Sequence, residues 1–132
     1  MRFPVTNAIA WLAVAAGGAI GSLARWQVGQ LVQATAPGLR FPTGTLLVNL
    51  VGCLAIGVLA GVFERAGGAN DPQRLFLFTG LLGGFTTFSA FGLETVDLLR
   101  RGEPLLAGGY VAASIIGGLV AVWLGLMLAH AR

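Results

Sequence analysis

The chain reads as an all-helical (all-α) membrane protein of four transmembrane helices, the third broken near its middle, and three observations predict this. Hydrophobic residues make up 56% of the sequence and charged residues only 10%, too apolar a composition for the surface of an ordinary soluble domain. Four apolar segments of roughly 20 residues, the length that crosses the hydrocarbon core, follow one another with turn residues between them. The third carries at its centre Gly83-Gly84-Phe85-Thr86-Thr87-Phe88-Ser89-Ala90-Phe91, where two glycines and two threonines are poor residues for a helix interior.

The spans are expected at about residues 6–32, 43–63, 74–99 and 105–129 of a single domain covering 1–132. Met1 to Asn7 is short and the apolar run after it is long, so no removable signal is expected. Ala36-Pro37-Gly38 and Pro42 precede the second span. The run from Ala66 to Pro72 precedes the third, with Asp71 expected as N-cap and Pro72 at the first helical position. Gly102-Glu103-Pro104 precedes the fourth. Small residues recur at helical spacing as Gly17 and Gly21, Gly57 and Gly61, Gly80 and Gly84, and Ser114 and Gly118, which lets helix backbones approach closely in lipid. Trp11, Trp26 and Trp123 suit either the membrane interfaces or the interior.

The eight basic residues are all arginine and are scattered, which excludes a nucleic-acid-binding face and leaves topology as their role. With four spans, Arg2, Arg65, Arg74 and Arg132 fall on one side and Arg25, Arg40, Arg100 and Arg101 on the other. Setting Arg25 aside as part of the first helix barely changes the balance. Since an excess of basic residues normally fixes orientation, a balanced chain is expected to insert both ways up and to pair as an antiparallel homodimer. One cysteine, Cys53, and one histidine, His130, exclude an intrachain disulfide and argue against a nitrogen–sulfur metal site. No nucleophile–base set, paired catalytic carboxylates or nucleotide-binding loop is present, so the chain is not expected to be an enzyme or to use a nucleotide.

Polar groups inside spans are costly and need a partner or a task. A helix broken at membrane depth survives only where protein covers it or where it lines a polar cavity, and its free carbonyls and amides can serve an ion. Asn49, with Thr45 one turn before it and Gly52 nearly one turn after, offers amide donors for an anion or a bond to another helix. Tyr110 and Ser114 are four apart, so their hydroxyls share a face that Gly118 continues as bare backbone. Phe88 and Phe91 share a face if the helix resumes near Thr87, and ring edges turned into a narrow pore favour an anion. Weak contacts of this kind suit conduction. Packing is the simpler use for the rings, and internal bonds for the hydroxyls. Arg25 and Glu94 either pair, snorkel or stand at a pore mouth.

Taken together, Gly17-Gly18-Ala19-Ile20-Gly21-Ser22-Leu23-Ala24-Arg25-Trp26, Gly44-Thr45-Leu46-Leu47-Val48-Asn49 with Gly52, and the Gly83–Phe91 stretch with Glu94 resemble the successive signatures of the small bacterial fluoride channels, the Fluc or CrcB family. The resemblance covers all four spans in order. It implies a multi-pass protein of the bacterial cytoplasmic (inner) membrane, an antiparallel homodimer with two fluoride pores, passive export of fluoride and a structural sodium ion at the dimer interface. By position, Asn49 resembles the family's pore asparagine, Phe88 and Phe91 its phenylalanine box, and Tyr110 and Ser114 its polar track, with Thr87 and Ser89 beside them in the pore. The carbonyls of Gly83 and Thr86 match the sodium ligands, in keeping with the oxygen preference of hard cations. Many members have threonine where this chain has Ala90, and Gly118 leaves the track one hydroxyl short.

A competing expectation is a small dual-topology proton-coupled efflux transporter. Such transporters have a buried glutamate in the first span, where this chain has no acid and only Arg25. A non-transporting anchoring protein would use the small-residue packing but leave the broken helix without a purpose.

Overall fold

A computed structural model describes residues 7–68 and 70–131. Arg2 and Arg132 of the arginine count, the expected span start at Thr6, and Ala69 lie outside the described residues.

Helix α1 runs Ala8–Thr35, with the Asn7 side chain accepting from the Ile9 N–H at 3.1 Å as its N-cap. The Thr35 hydroxyl donates to the Leu31 carbonyl at 2.8 Å and closes the last turn, which carries the helix three residues past the expected end. Pro42 introduces α2, Thr43–Arg65. Helix α3, Asp71–Arg74, opens the third span. Its N-cap is Asn70 rather than Asp71: the Asn70 side chain accepts from the Gln73 N–H at 3.0 Å while Gln73 Oε1 accepts from the Asn70 N–H, a reciprocal box that Asp71 is one position too late to form.

From Leu75 to Leu82 the third span widens into a π-helix, then tightens to a short turn, α4, Gly83–Phe85. Gly83 and Gly84 are therefore helical. The extended residues are Thr86 (φ −85°, ψ 161°) and Thr87 (φ −152°, ψ 127°), after which α5 runs Phe88–Arg100 with the Thr87 hydroxyl capping it from Ala90 N–H at 3.2 Å. Gly102, at φ +76°, turns the chain into α6, Pro104–His130. Among the described residues, four stretches are long and apolar enough to cross a membrane: Ala8–Thr35, Thr43–Arg65, Asp71–Arg100 and Pro104–His130.

Two glycine seams hold the helices together. Along α1, a methyl on Gly17 would strike the Phe76 carbonyl and one on Gly21 the Leu81 carbonyl, so α1 and the π-helix meet backbone to backbone. Gly80 and Gly84 answer from the other side, against Gly17 and Gly18. The second seam joins α2 to α6, where Gly57 meets Val122, Gly125 meets Leu54, and Gly61 meets Ala129. Gly118 lies against Cys53 Sγ, and the tightest approach on α6 falls two turns later, at Gly125. Between α5, α6 and the segment before α2 sits a small core of Leu98, Ala107 and Tyr110, covered by Phe41, Leu46, Phe91 and Leu106. Trp11, Trp26 and Trp123 all lie exposed on the outer apolar surface.

Candidate functional site

The site is built where α2 passes the two extended residues of the third span. Asn49 donates from Nδ2 to the Thr87 carbonyl at 2.9 Å and accepts on Oδ1 from the Thr87 N–H at 2.8 Å. One side chain thus replaces both ladder bonds that Thr87 would have made in a continuous helix, which removes most of the cost of non-helical backbone in an apolar surrounding. The exchange has a second effect. In an unbroken helix the Thr87 N–H would bond the Gly83 carbonyl and the Ala90 N–H the Thr86 carbonyl. Here the first goes to Asn49 and the second to the Thr87 hydroxyl, so both carbonyls lose their helical donors. The Thr86 hydroxyl is occupied with the Leu82 carbonyl at 2.8 Å.

Beside this clamp lies an open cleft of about 490 Å³, walled by Asn49, Cys53, Gly83, Thr86, Thr87, Phe88, Phe91 and Ser114 among others. Phe88 and Phe91, one turn apart, stand with ring centroids 5.5 Å apart and planes tilted by 48°. Phe91 continues into Tyr110 at 5.2 Å, whereas Phe88, also in the cleft wall, is 83% exposed. The Ser114 hydroxyl is buried and has no hydrogen-bond partner among the described residues. Ser89 is exposed and reaches only Thr87 Oγ1, at 3.3 Å.

Tyr110 is placed differently from a cleft-lining hydroxyl. It is completely buried, and its hydroxyl donates to Glu94 Oε2 at 2.7 Å, while Thr45 donates to Glu94 Oε1 at 2.7 Å. Both carboxylate oxygens are thereby held, α5 to α6 through one and α5 to α2 through the other. Tyr110→Phe keeps the ring contacts with Phe41 and Phe91 and removes only the hydroxyl. It is expected to cost about 1–2 kcal/mol through the unpaired carboxylate oxygen, read as a lowered midpoint in thermal melts of the detergent-solubilised protein.

Glu94 also borders a second cavity of about 320 Å³, with Arg25, Thr45, Thr87 and Ala90 in its wall. Arg25 and Glu94 therefore face one cavity without forming an ion pair. Thr87 lines both spaces. Of the residues singled out from the sequence, Asn49, Thr87, Phe88, Phe91, Ser114, Gly83 and Thr86 come together in the cleft; Arg25 and Glu94 belong to the second cavity, and Tyr110 and Ser89 to neither. Sequence reasoning gave Thr45 no role beyond a small polar face, although its place one turn before Asn49 is the signal that it shares Asn49's side of α2.

Four spans with two cavities, both bordered by unwound backbone that a side chain from another span supports, define a small multi-pass membrane protein of the channel or carrier type. The chain belongs to the CrcB-like family, described as CrcB-like protein, Camphor Resistance (CrcB), whose model matches residues 12–126. A relative from Methylobacillus flagellatus named "Fluoride-specific ion channel FluC" is 53% identical over 115 residues, covering 87% of this chain and 90% of its own. Relatives of the same name from Rhizobium etli and Pseudomonas fluorescens are each 50% identical, over 120 and 117 residues, covering 91% and 89% of this chain and 95% and 94% of their own.

Proposed function

We propose that the chain is a passive fluoride-selective channel that exports fluoride from the bacterial cytoplasm, lies in the inner membrane, and works as an antiparallel homodimer with two pores. It is no enzyme. Family membership and three relatives named as fluoride channels support this reading over the proton-coupled transporter. The single observation that carries the mechanism is the Asn49–Thr87 clamp, which sets the Phe88 and Phe91 rings beside an unpartnered Ser114 hydroxyl in one cleft.

Fluoride is small and holds its water tightly, so a pore that passes it must replace that water with donors that do not bind too strongly. Ring edges, one remaining Nδ2 hydrogen of Asn49 and the Ser114 hydroxyl are donors of this strength, and among the described residues no cation lines the cleft. Arg25, in the neighbouring cavity, raises the local anion concentration without a contact that would trap the ion. Neutral HF enters a cell from acid surroundings, loses its proton in the more alkaline cytoplasm, and leaves F⁻ that the inside-negative potential drives out through such a pore.

The family's structural sodium fits this chain. Gly83 and Thr86 carbonyls have lost their helical donors, carbonyl oxygen is the ligand a hard cation takes, and Gly83 is exposed on the protomer surface where a second copy can reach it. These two carbonyls would hold the ion, whose charge there would brace the unwound segment.

The test is fluoride loss from liposomes containing the purified protein, followed with a fluoride electrode once a potassium ionophore collapses the potential. Fluoride loss with retention of chloride is expected. Fluoride retention by demonstrably dimeric protein would overturn the channel reading. Phe88→Ile keeps an apolar side chain but removes the ring edge, and is expected to depress efflux at least tenfold while dimers persist; unchanged efflux would remove the ring from the ion path.

A further inference from the structure

Helices α2 and α6 run parallel: Leu50 lies against Gly117, Cys53 against Gly118, Gly57 against Val122 and Gly61 against Ala129. Their C-termini therefore end side by side, and each helix brings the equivalent of about half a negative charge to its end. Arg65 answers part of this by donating to the Ala129 carbonyl. Beside that bond the last turns bring together Glu64 of α2 and His130 of α6, the single histidine of the chain.

The imidazole is fixed in orientation. Its Nδ1 stands 2.7 Å from the Leu126 carbonyl oxygen, a separation at which a ring carbon would collide, so Nδ1 carries a proton and donates it. Cε1 rests against Gly61, where an added methyl would lie 3.4 Å away. In the neutral ring Nε2 is then a bare acceptor, and 3.7 Å from it stands Glu64 Oε2, a second acceptor. That separation is too long for a hydrogen bond. It is close to the roughly 3.3 Å between two ligands of a tetrahedral ion whose bonds are about 2.0 Å. Two acceptors thus face each other across a gap of the size a cation fills, where two helix dipoles favour positive charge. A metal-bound imidazole commonly donates its other ring N–H to a backbone carbonyl, as His130 does to Leu126.

We propose that His130 Nε2 and Glu64 Oε2 bind a first-row divalent cation of the zinc or copper class, which ties the end of α2 to the end of α6. One imidazole nitrogen and one carboxylate oxygen suit these ions better than magnesium. Among the described residues no third His, Cys, Asp or Glu joins the pair, and the two side chains are 51% and 64% exposed. Water completes the shell, and the ion exchanges with the medium. The same two helices carry Asn49 and Ser114 into the cleft, so the tie steadies two of its walls from one end. The site stands independently of the channel reading.

The experiment uses the full chain, purified on a tag free of histidine, with Cys53→Ala in every arm to remove the competing thiol. Copper(II) is the probe, because its electron-spin-echo spectrum registers the remote nitrogen of a bound imidazole and this chain has one imidazole. One equivalent of copper is expected to show that nitrogen, and to lose it in His130→Ala. Glu64→Ala is expected to weaken copper binding at least about tenfold. No imidazole signal at one equivalent would overturn the site. Equal affinity in Glu64→Ala would overturn it too, leaving a proton on Nε2 as what fills the gap. Zinc at about ten times its dissociation constant is expected to raise the thermal midpoint by about 3 °C, and to do nothing in His130→Ala. Identical melts with and without zinc would remove the tie between the helices.

Discussion

Asn49→Ala is expected to lower fluoride efflux by about two orders of magnitude and to destabilise the fold by roughly 3 kcal/mol, the cost of leaving a backbone N–H and C=O unpaired in an apolar setting. Both effects have one origin. Thr87 is extended, and no residue of its own helix can satisfy it, so Asn49 alone holds its N–H and carbonyl. Asn49→Asp separates the two bonds. It keeps the acceptor for the Thr87 N–H but sets oxygen against the Thr87 carbonyl and a negative charge beside the proposed anion path. Asn49→Asp should therefore conduct as poorly as Asn49→Ala. Efflux from liposomes and thermal melts of each variant check this, and Asn49→Ala protein with wild-type efflux would refute the clamp.

The second large effect concerns the α1 seam. Gly21→Ala places a methyl on the Leu81 carbonyl and the Phe85 N atom, and neither is a flexible side chain that can move aside. The expected loss is about 3 kcal/mol or more, at the upper end of overpacking. Gly29, on the same helix, has open space around its added methyl, so Gly29→Ala should be neutral or stabilising by up to about 1 kcal/mol through helix propensity. Melting the pair side by side distinguishes contact from propensity. Equal behaviour would show that α1 does not approach the π-helix at backbone distance.

The four spans were legible because hydropathy and turn residues are local signals; apart from the first span's start, which lies outside the described residues, the helix bounds differ from expectation by only a few residues. What joins the spans was much less so. Asn49 and Thr87 are 38 residues apart, and nothing near either one says that the amide faces that backbone. Tyr110 pairs with Glu94 although its spacing to Ser114 suggested a common track, because burial between α5 and α6 outweighs the sharing of a helix face. The glycine pair at 83 and 84 drew attention as a helix breaker, yet Gly84 serves close packing on Gly18, and the extended residues are the threonines after it. The π-helix could not be read at all, since Leu75–Leu82 is equally apolar under either winding.

That winding carries a consequence for the gene. A π-helix fits extra residues into the axial length of an α-helix, so the third span is held at a fixed count. Adding one residue that the π winding does not take up would turn everything downstream by about 100°. Thr87 would leave Asn49, and Phe88 would swing out of the cleft. Substitution can tune this stretch, but an added residue would dismantle the site in one step.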